Sequence, residues 1–220
     1  MDYAALSPFY VKDCALAAIA TGMKVRSLIE LRDKLQVIPP SSIYFHFWGG
    51  RLRTSFEHYE YHNDFSSWVH YHLHDDVLAE RLELLNPHEF ADIEELRAEL
   101  IELIDDRLDE REVIPWVKSD EQFHFIDSKI VIFQTRHQIN VPEELIQVLP
   151  LLTRSSLFYH VIDAARRTAN HMDDFCEWLG GHQERYRELI DALHRIDPYP
   201  ISLGHLQKKM LEVAKEYFLR

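Results

Sequence analysis

Ser41–Phe47 reads SSIYFHF and Ser155–Val161 reads SSLFYHV, the same pattern 114 positions apart. NDFSSW at Asn63–Trp68 returns as DDFCEW at Asp173–Trp178, now 110 positions apart. The first occurrence therefore carries four extra residues between the two motifs. Upstream, Phe9, Asp13, Thr21, Glu30, Leu31 and Leu35 meet Phe123, Asp127, Thr135, Glu144, Leu145 and Leu149 at the larger spacing. Downstream, Glu102 meets Glu212 and Pro87 falls near Pro198. Order and spacing hold while identity is low, which is how a diverged internal duplication reads. The expected organisation is one copy over 1–108, a linker over 109–122 and a second copy over 123–220.

Each copy informs the other. Ala15–Ala20 reads as helix by propensity alone, whereas its partner KIVIF, Lys129–Phe133, is β-branched and reads as strand. FHFIDSKIVIF has a polar break at Asp127–Ser128, so a short β-hairpin is expected to open each copy. Helices follow. Ser27 with Glu30 forms a capping box for Leu28–Val37, and Asn140 with Glu143 stands in the equivalent place. Pro39-Pro40 ends the first helix and Ser41 or Ser42 is expected to cap the next. Asn63 or Asp64, Asp75 or Asp76, Asp92 with Glu95, and Ser202 mark further helix starts. The fold class is mainly α (α+β): a tandem repeat, each copy a short β-hairpin followed by about five short helices. The linker (DEREVIPWVKSDEQ) is polar but holds Ile114, Trp116 and Val117, so it is expected to pack rather than hang free.

The chain has 220 residues, 46% hydrophobic and 28% charged, an ordinary globular composition. No apolar run approaches the ~18 residues of a membrane span. The opening MDYAALSPFYVKD lacks a basic region followed by an apolar stretch, so no signal peptide is expected. Two cysteines cannot build a disulfide framework, which points to a reduced, cytoplasmic protein. Net charge is −13, concentrated between Asp75 and Glu112, where fifteen acids face four bases. Such a surface repels phosphate, which argues against nucleic-acid partners, and its plain reading is a solvated helical face. Six glycines and no P-loop or G-x-S-x-G leave no nucleotide cradle or serine nucleophile.

SSIYFHF, NDFSSWV, LAERLELLNP and IEELRAELIELI, with TGMKVRSLIEL upstream, resemble a bacterial and archaeal family, domain-of-unknown-function family 5752. The resemblance covers essentially the whole chain and the family also shows a weaker second copy. It implies no reaction. The family's histidine and its Asn-Asp-Phe-x-x-Trp motif fall on His46, Asn63, Asp64, Phe65 and Trp68. The second copy has Asp173 in place of the asparagine and keeps His160, Asp174, Phe175 and Trp178.

Fourteen histidines are unusual for this length. His58 and His62 lie at i,i+4 within the stretch that the second copy lacks. With Asp64 and His46 they make a candidate divalent-metal set, since imidazole and carboxylate at helical spacing suit zinc, nickel or iron. HYHLHDD, with His70, His72, His74, Asp75 and Asp76, resembles the H-x-H-x-D-H run of metallo-β-lactamases with its last two positions exchanged, but the strand-rich sandwich and distant ligands of that fold are not evident, and it reads first as a solvated, histidine-rich surface. Arg51 faces Ala165 in the other copy and is open to binding, whereas Arg53 is matched by Arg167 and reads as structural. The ligand-binding candidates are therefore His46, Arg51, His58, His62 and Asp64. His46 and His160 have a second reading. Each lies four residues beyond a serine on an apolar helix, and each copy starts its next helix with an Asp-Phe pair. A buried imidazole needs partners at both nitrogens, so His46 with Asp64 and His160 with Asp174 are expected to form polar clasps. Clustered aromatics in both copies read as core rather than as a sugar or base platform.

Two functions follow. The first is a non-catalytic binding or regulatory module for an unknown protein or small ligand, with no cofactor, no nucleic acid and no membrane. The alternative is a metal-dependent, hydrolase-like enzyme using the His/Asp cluster of copy one, with catalytic residues otherwise unassigned.

Overall fold

A computed structural model describes residues 7–52, 60–110, 118–168 and 170–220. It is a mixed α+β structure in which helices dominate and two strands form one sheet. Strand β1 runs Phe9–Val25 and β2 runs Phe123–Ile139. Between them lie α1 (Leu28–Leu35), α2 (Pro40–Trp48), α3 (Asp64–Trp68), α4 (Asp76–Glu83) and α5 (Ile93–Asp109). After β2 come α6 (Leu145–Val148), α7 (Arg154–Leu157), α8 (Asp174–Gly180), α9 (Arg187–His194) and α10 (Leu203–Phe218).

The expected hairpins do not form. Each half contributes one unbroken 17-residue strand, and β1 pairs with β2. Thr21 Oγ1 donates to the Phe125 carbonyl at 2.7 Å and Thr135 Oγ1 to the Val11 carbonyl at 2.7 Å. Rising numbers on one strand therefore meet falling numbers on the other, the antiparallel sense. The polar break that resembled a turn has a different cause. Asp127 Oδ1 accepts from the Ser128 amide and Ser128 Oγ reaches the Ser41 carbonyl, while the backbone stays extended. Ala15–Ala20 is strand despite its helical propensity, because pairing with β2 outweighs the propensity difference of well under ~1 kcal/mol per residue.

The described chain divides into two compact units. One is Leu16–Ile130, hereafter the central unit; the other joins the residues through Ala15 with Val131–Arg220, hereafter the terminal unit. Each unit holds the helices of one half and strand residues from both. In the central unit α1 packs on α5 and α3 on α4 around Leu31, Ile43, Phe47, Phe65, Leu82 and Leu100, all essentially buried. In the terminal unit α9 and α10 pack together, and Phe158, Phe175, Leu189 and Leu206 are buried.

Local signals place most helix starts. Ser27, Asn63, Asp75, Asp92 and Ser202 each cap with a side-chain oxygen. One start differs: Pro40 occupies the first turn of α2 and Pro39 is its cap residue without a side-chain bond, so neither Ser41 nor Ser42 caps. Proline is pre-set for that position and lacks the amide that a cap would satisfy.

Candidate functional site

α2 is buried along nearly its whole length from Ser42 to Trp48, His46 included. Its imidazole is 3% exposed. Nδ1 lies 2.8 Å from Asp64 Oδ2, on the first residue of α3, and Nε2 accepts the Ile126 amide of β2 at 3.1 Å. A backbone N–H can only donate, so Nε2 carries no proton and Nδ1 carries the hydrogen that Asp64 accepts. The ring sits among Phe123 at 4.7 Å and Phe65 at 5.3 Å between centroids. Trp68 Nε1 donates to the Glu121 carbonyl at 2.9 Å, fixing the segment that leads into β2.

The terminal unit repeats this arrangement. His160 is 2% exposed, its Nδ1 is 2.7 Å from Asp174 Oδ2, and its Nε2 accepts the Lys12 amide of β1 at 2.8 Å. Phe9 and Phe175 flank the ring at 4.9 and 5.5 Å. Trp178 Nε1 donates to the Ser7 carbonyl at 3.2 Å. His160 lies within a π-helical turn, Phe158–Asp163, that continues α7.

The two sites differ in their second carboxylate. Arg167 donates to Asp174 at 3.0 Å, to the Tyr159 carbonyl at 2.8 Å and to Asp163 at 2.8 Å, and its guanidinium lies 4.1 Å from the Tyr159 ring centroid. Arg166 also donates to Asp163, at 2.5 Å. Asp163 is 1% exposed, so its charge is offset by these two arginines. Burial works against the Asp174 carboxylate, but hydrogen bonds from His160 and Arg167 outweigh it and hold the carboxyl below its ordinary range. Gly49 stands at the position matching Asp163, and a Cβ there would meet the Phe45 ring at 2.7 Å. A side chain at that point of the central unit would have to displace the Phe45 ring.

The remaining candidates go elsewhere. His62 is drawn to Glu83, whose carboxylate takes both its ring Nδ1 and its backbone amide, and also the Ser66 hydroxyl at 2.9 Å. Asp64 is engaged by His46, so His62 and Asp64 serve different partners. Arg51 lies over the Trp48 ring at 5.0 Å. His58 falls outside the described residues. Among the described residues no group of three His, Cys, Asp or Glu side chains is placed to hold a metal ion. In HYHLHDD, His70 lies 2.8 Å from Asp76 and His72 2.8 Å from Asp120, while His74 is left-handed at φ 56° and ends the turn. Burial, reinforced by Asp13, pushes the Cys14 thiol up to about 12, and burial also raises Cys176.

Sequence reading missed Glu83 and Asp163, and the part that Arg167 plays. Asp163 had a signal: a lone acid inside an apolar helical run with arginines three and four residues later.

Residues 6–215 match the family of unknown function DUF5752, and the chain belongs to that family. A solved structure, that of OrfY from Thermoproteus tenax, is similar to it: 26% identity over 98% of each chain, with a TM-score of 0.83. No curated protein matches. No helix among the described residues is long and apolar enough to cross a membrane.

Proposed function

We propose that this chain is a tandem duplication acting as a non-catalytic binding or regulatory module in the cytoplasm, with His46 and His160 as structural clasps. One observation carries the reading. In both units each imidazole nitrogen is already committed, Nδ1 to an aspartate and Nε2 to a strand amide. A histidine so bound has no lone pair for a metal or proton left without releasing the strand. The duplication is supported by paired bonds at matching positions. Asp13 and Asp127 each accept the following amide, and Arg26 and Asn140 each donate a backbone amide to a glutamate four residues on. The partner is a protein or small ligand met in copy one, where Arg51, His62 and the residues absent from copy two lie. Two free, buried cysteines fit a reducing compartment.

The test is metal content in protein purified without a histidine tag or nickel resin. The expected result is metal-free protein whose stability is unchanged by chelator. Near-stoichiometric zinc, iron or manganese, lost on His58→Ala or His62→Ala, would overturn this in favour of a metal-dependent hydrolase.

A further inference from the structure

Each half of the chain supplies a strand segment that the other half's helices hold. In the terminal unit the segment Ser7–Cys14 is held by residues of the second half. Trp178 takes the Ser7 carbonyl, His160 takes the Lys12 amide, and Ser156 Oγ donates to the Lys12 carbonyl at 2.5 Å. Thr153 donates to Asp13 at 2.9 Å, and the Cys14 thiol donates to the Ser155 carbonyl at 3.3 Å. Phe9 is inserted among His160, Phe175 and Trp178. In the central unit the roles reverse. Trp68 takes the Glu121 carbonyl, His46 takes the Ile126 amide, and Ser128 donates to the Ser41 carbonyl. Phe123 is inserted among His46, Phe65 and Trp68.

The bonds between the strands have the same reciprocity. A threonine of β1 binds a carbonyl of β2, and the matching threonine of β2 binds the matching carbonyl of β1. Residue i on j together with j on i is the signature of an isologous contact, as between identical subunits. The helices also satisfy amides that a two-stranded sheet would otherwise leave on its open edge.

We infer that the two copies recognise one another as strand and groove, and that this exchange, not the peptide connection through 111–117, holds them together. The partner each groove fits is a second copy of its own repeat, joined covalently in this chain. The connection then only raises the effective concentration of one copy near the other. The inference rests on the duplication proposed above.

The experiment replaces 111–117 with a site-specific protease sequence and cuts the folded, full-length protein. The expected result is one particle in native gel filtration that contains both pieces at equal amounts and parts only in denaturant. Separation of the pieces in native buffer overturns the inference. If the site resists cleavage, co-expression of the two pieces with a tag on one gives the same readout: the untagged piece is retained or it is lost. Lys12→Pro removes the amide that His160 accepts and is expected to weaken association of the cut chain by about tenfold or more. No change in association would count against the strand-and-groove contact. Thr21→Ala and Thr135→Ala separate the two ideas. Each should weaken association; no effect from either would remove the reciprocal bonds that support the duplication while leaving intact the finding that the pieces hold together.

Discussion

The His46 site and the His160 site hold a strand by the same three contacts, yet they are built to different strengths. Asp64 is 38% exposed and pairs with His46, whereas Asp174 is 15% exposed and shared between His160 and Arg167. Behind Asp174 stands Asp163, buried in a π-helical turn and held by two arginines, where the central unit has Gly49. The comparison teaches which part of the device is essential. An imidazole between an aspartate and a strand amide is present in both units, so it is the common minimum. Among the described residues the arginine-carboxylate network is seen in the terminal unit, and it comes with an obligation. A buried carboxylate is tolerable only while its cations stay in place.

The largest expected effect breaks that network. Asp163→Ala leaves Arg166 and Arg167 without their buried acceptor and should cost about 3 kcal/mol, the lower end for breaking a buried pair. Urea denaturation of the variant measures it, and a loss under about 1 kcal/mol would mean the network contributes little. Next come the clasps themselves. His46→Ala and His160→Ala should each destabilise by about 1–3 kcal/mol, the cost of a buried donor left unmade. His160→Ala should fall nearer the upper value, because Asp174 is less able than Asp64 to regain water. Equal losses at both sites would remove the distinction between exposed and buried aspartate, and wild-type stability in both would end the clasp.

A third test uses pH. Asp174 has its carboxyl held down in the folded state, so its stabilisation is present above the ordinary carboxylate range, about pH 4. It is lost as pH falls through the lowered folded value. Unfolding midpoints followed from pH 6 to pH 3 should drop, and Arg167→Met should flatten the drop by removing one of the two groups that hold the charge. An identical slope in that variant would assign the acid sensitivity elsewhere. The smallest effect concerns the cap of α8. Burial pushes the Asp173 carboxyl up, so its charge costs stability that is recovered only as pH falls below the raised value. Asn63 occupies the matching cap, accepts the Ser66 amide at 2.8 Å and donates to the Leu82 carbonyl at 3.0 Å. Asp173→Asn should therefore raise stability at neutral pH by a few tenths of a kcal/mol, since asparagine and aspartate cap about equally well. A melting-temperature difference that vanishes below pH 4 would confirm the cause, and a destabilised variant at pH 7 would refute it.

Much of the local structure was legible. Helix starts at Ser27, Asn63, Asp92 and Ser202 announce themselves, because a cap is a bond between residues two or three apart. The likeness of His46 to His160, and of Asp64 to Asp174, was also on the page as sequence. Glu83 was not, because its hold on His62 joins residues 21 apart across a helix boundary. Arg167 entered the sequence reading only as the match of Arg53, and the carboxylate it serves lay in a turn with no cap or break to mark it.

What the sequence alone determined is therefore the order and content of the parts: helices from caps and apolar spacing, two matched histidines, two matched aspartates. What only the tertiary structure decided is where the strands go. Asp127–Ser128 satisfies a turn signal, but a local polar pair cannot distinguish a chain that reverses from one that runs straight with its side chains taken up by a helix start. Here the Ser41 carbonyl takes the Ser128 hydroxyl, as the Thr153 hydroxyl is taken by Asp13 in the matching stretch of β1, so each strand stays extended and finds its mate in the other half of the molecule. Strand pairing is set by residues distant in sequence, and it alone fixed which amide faces each buried imidazole.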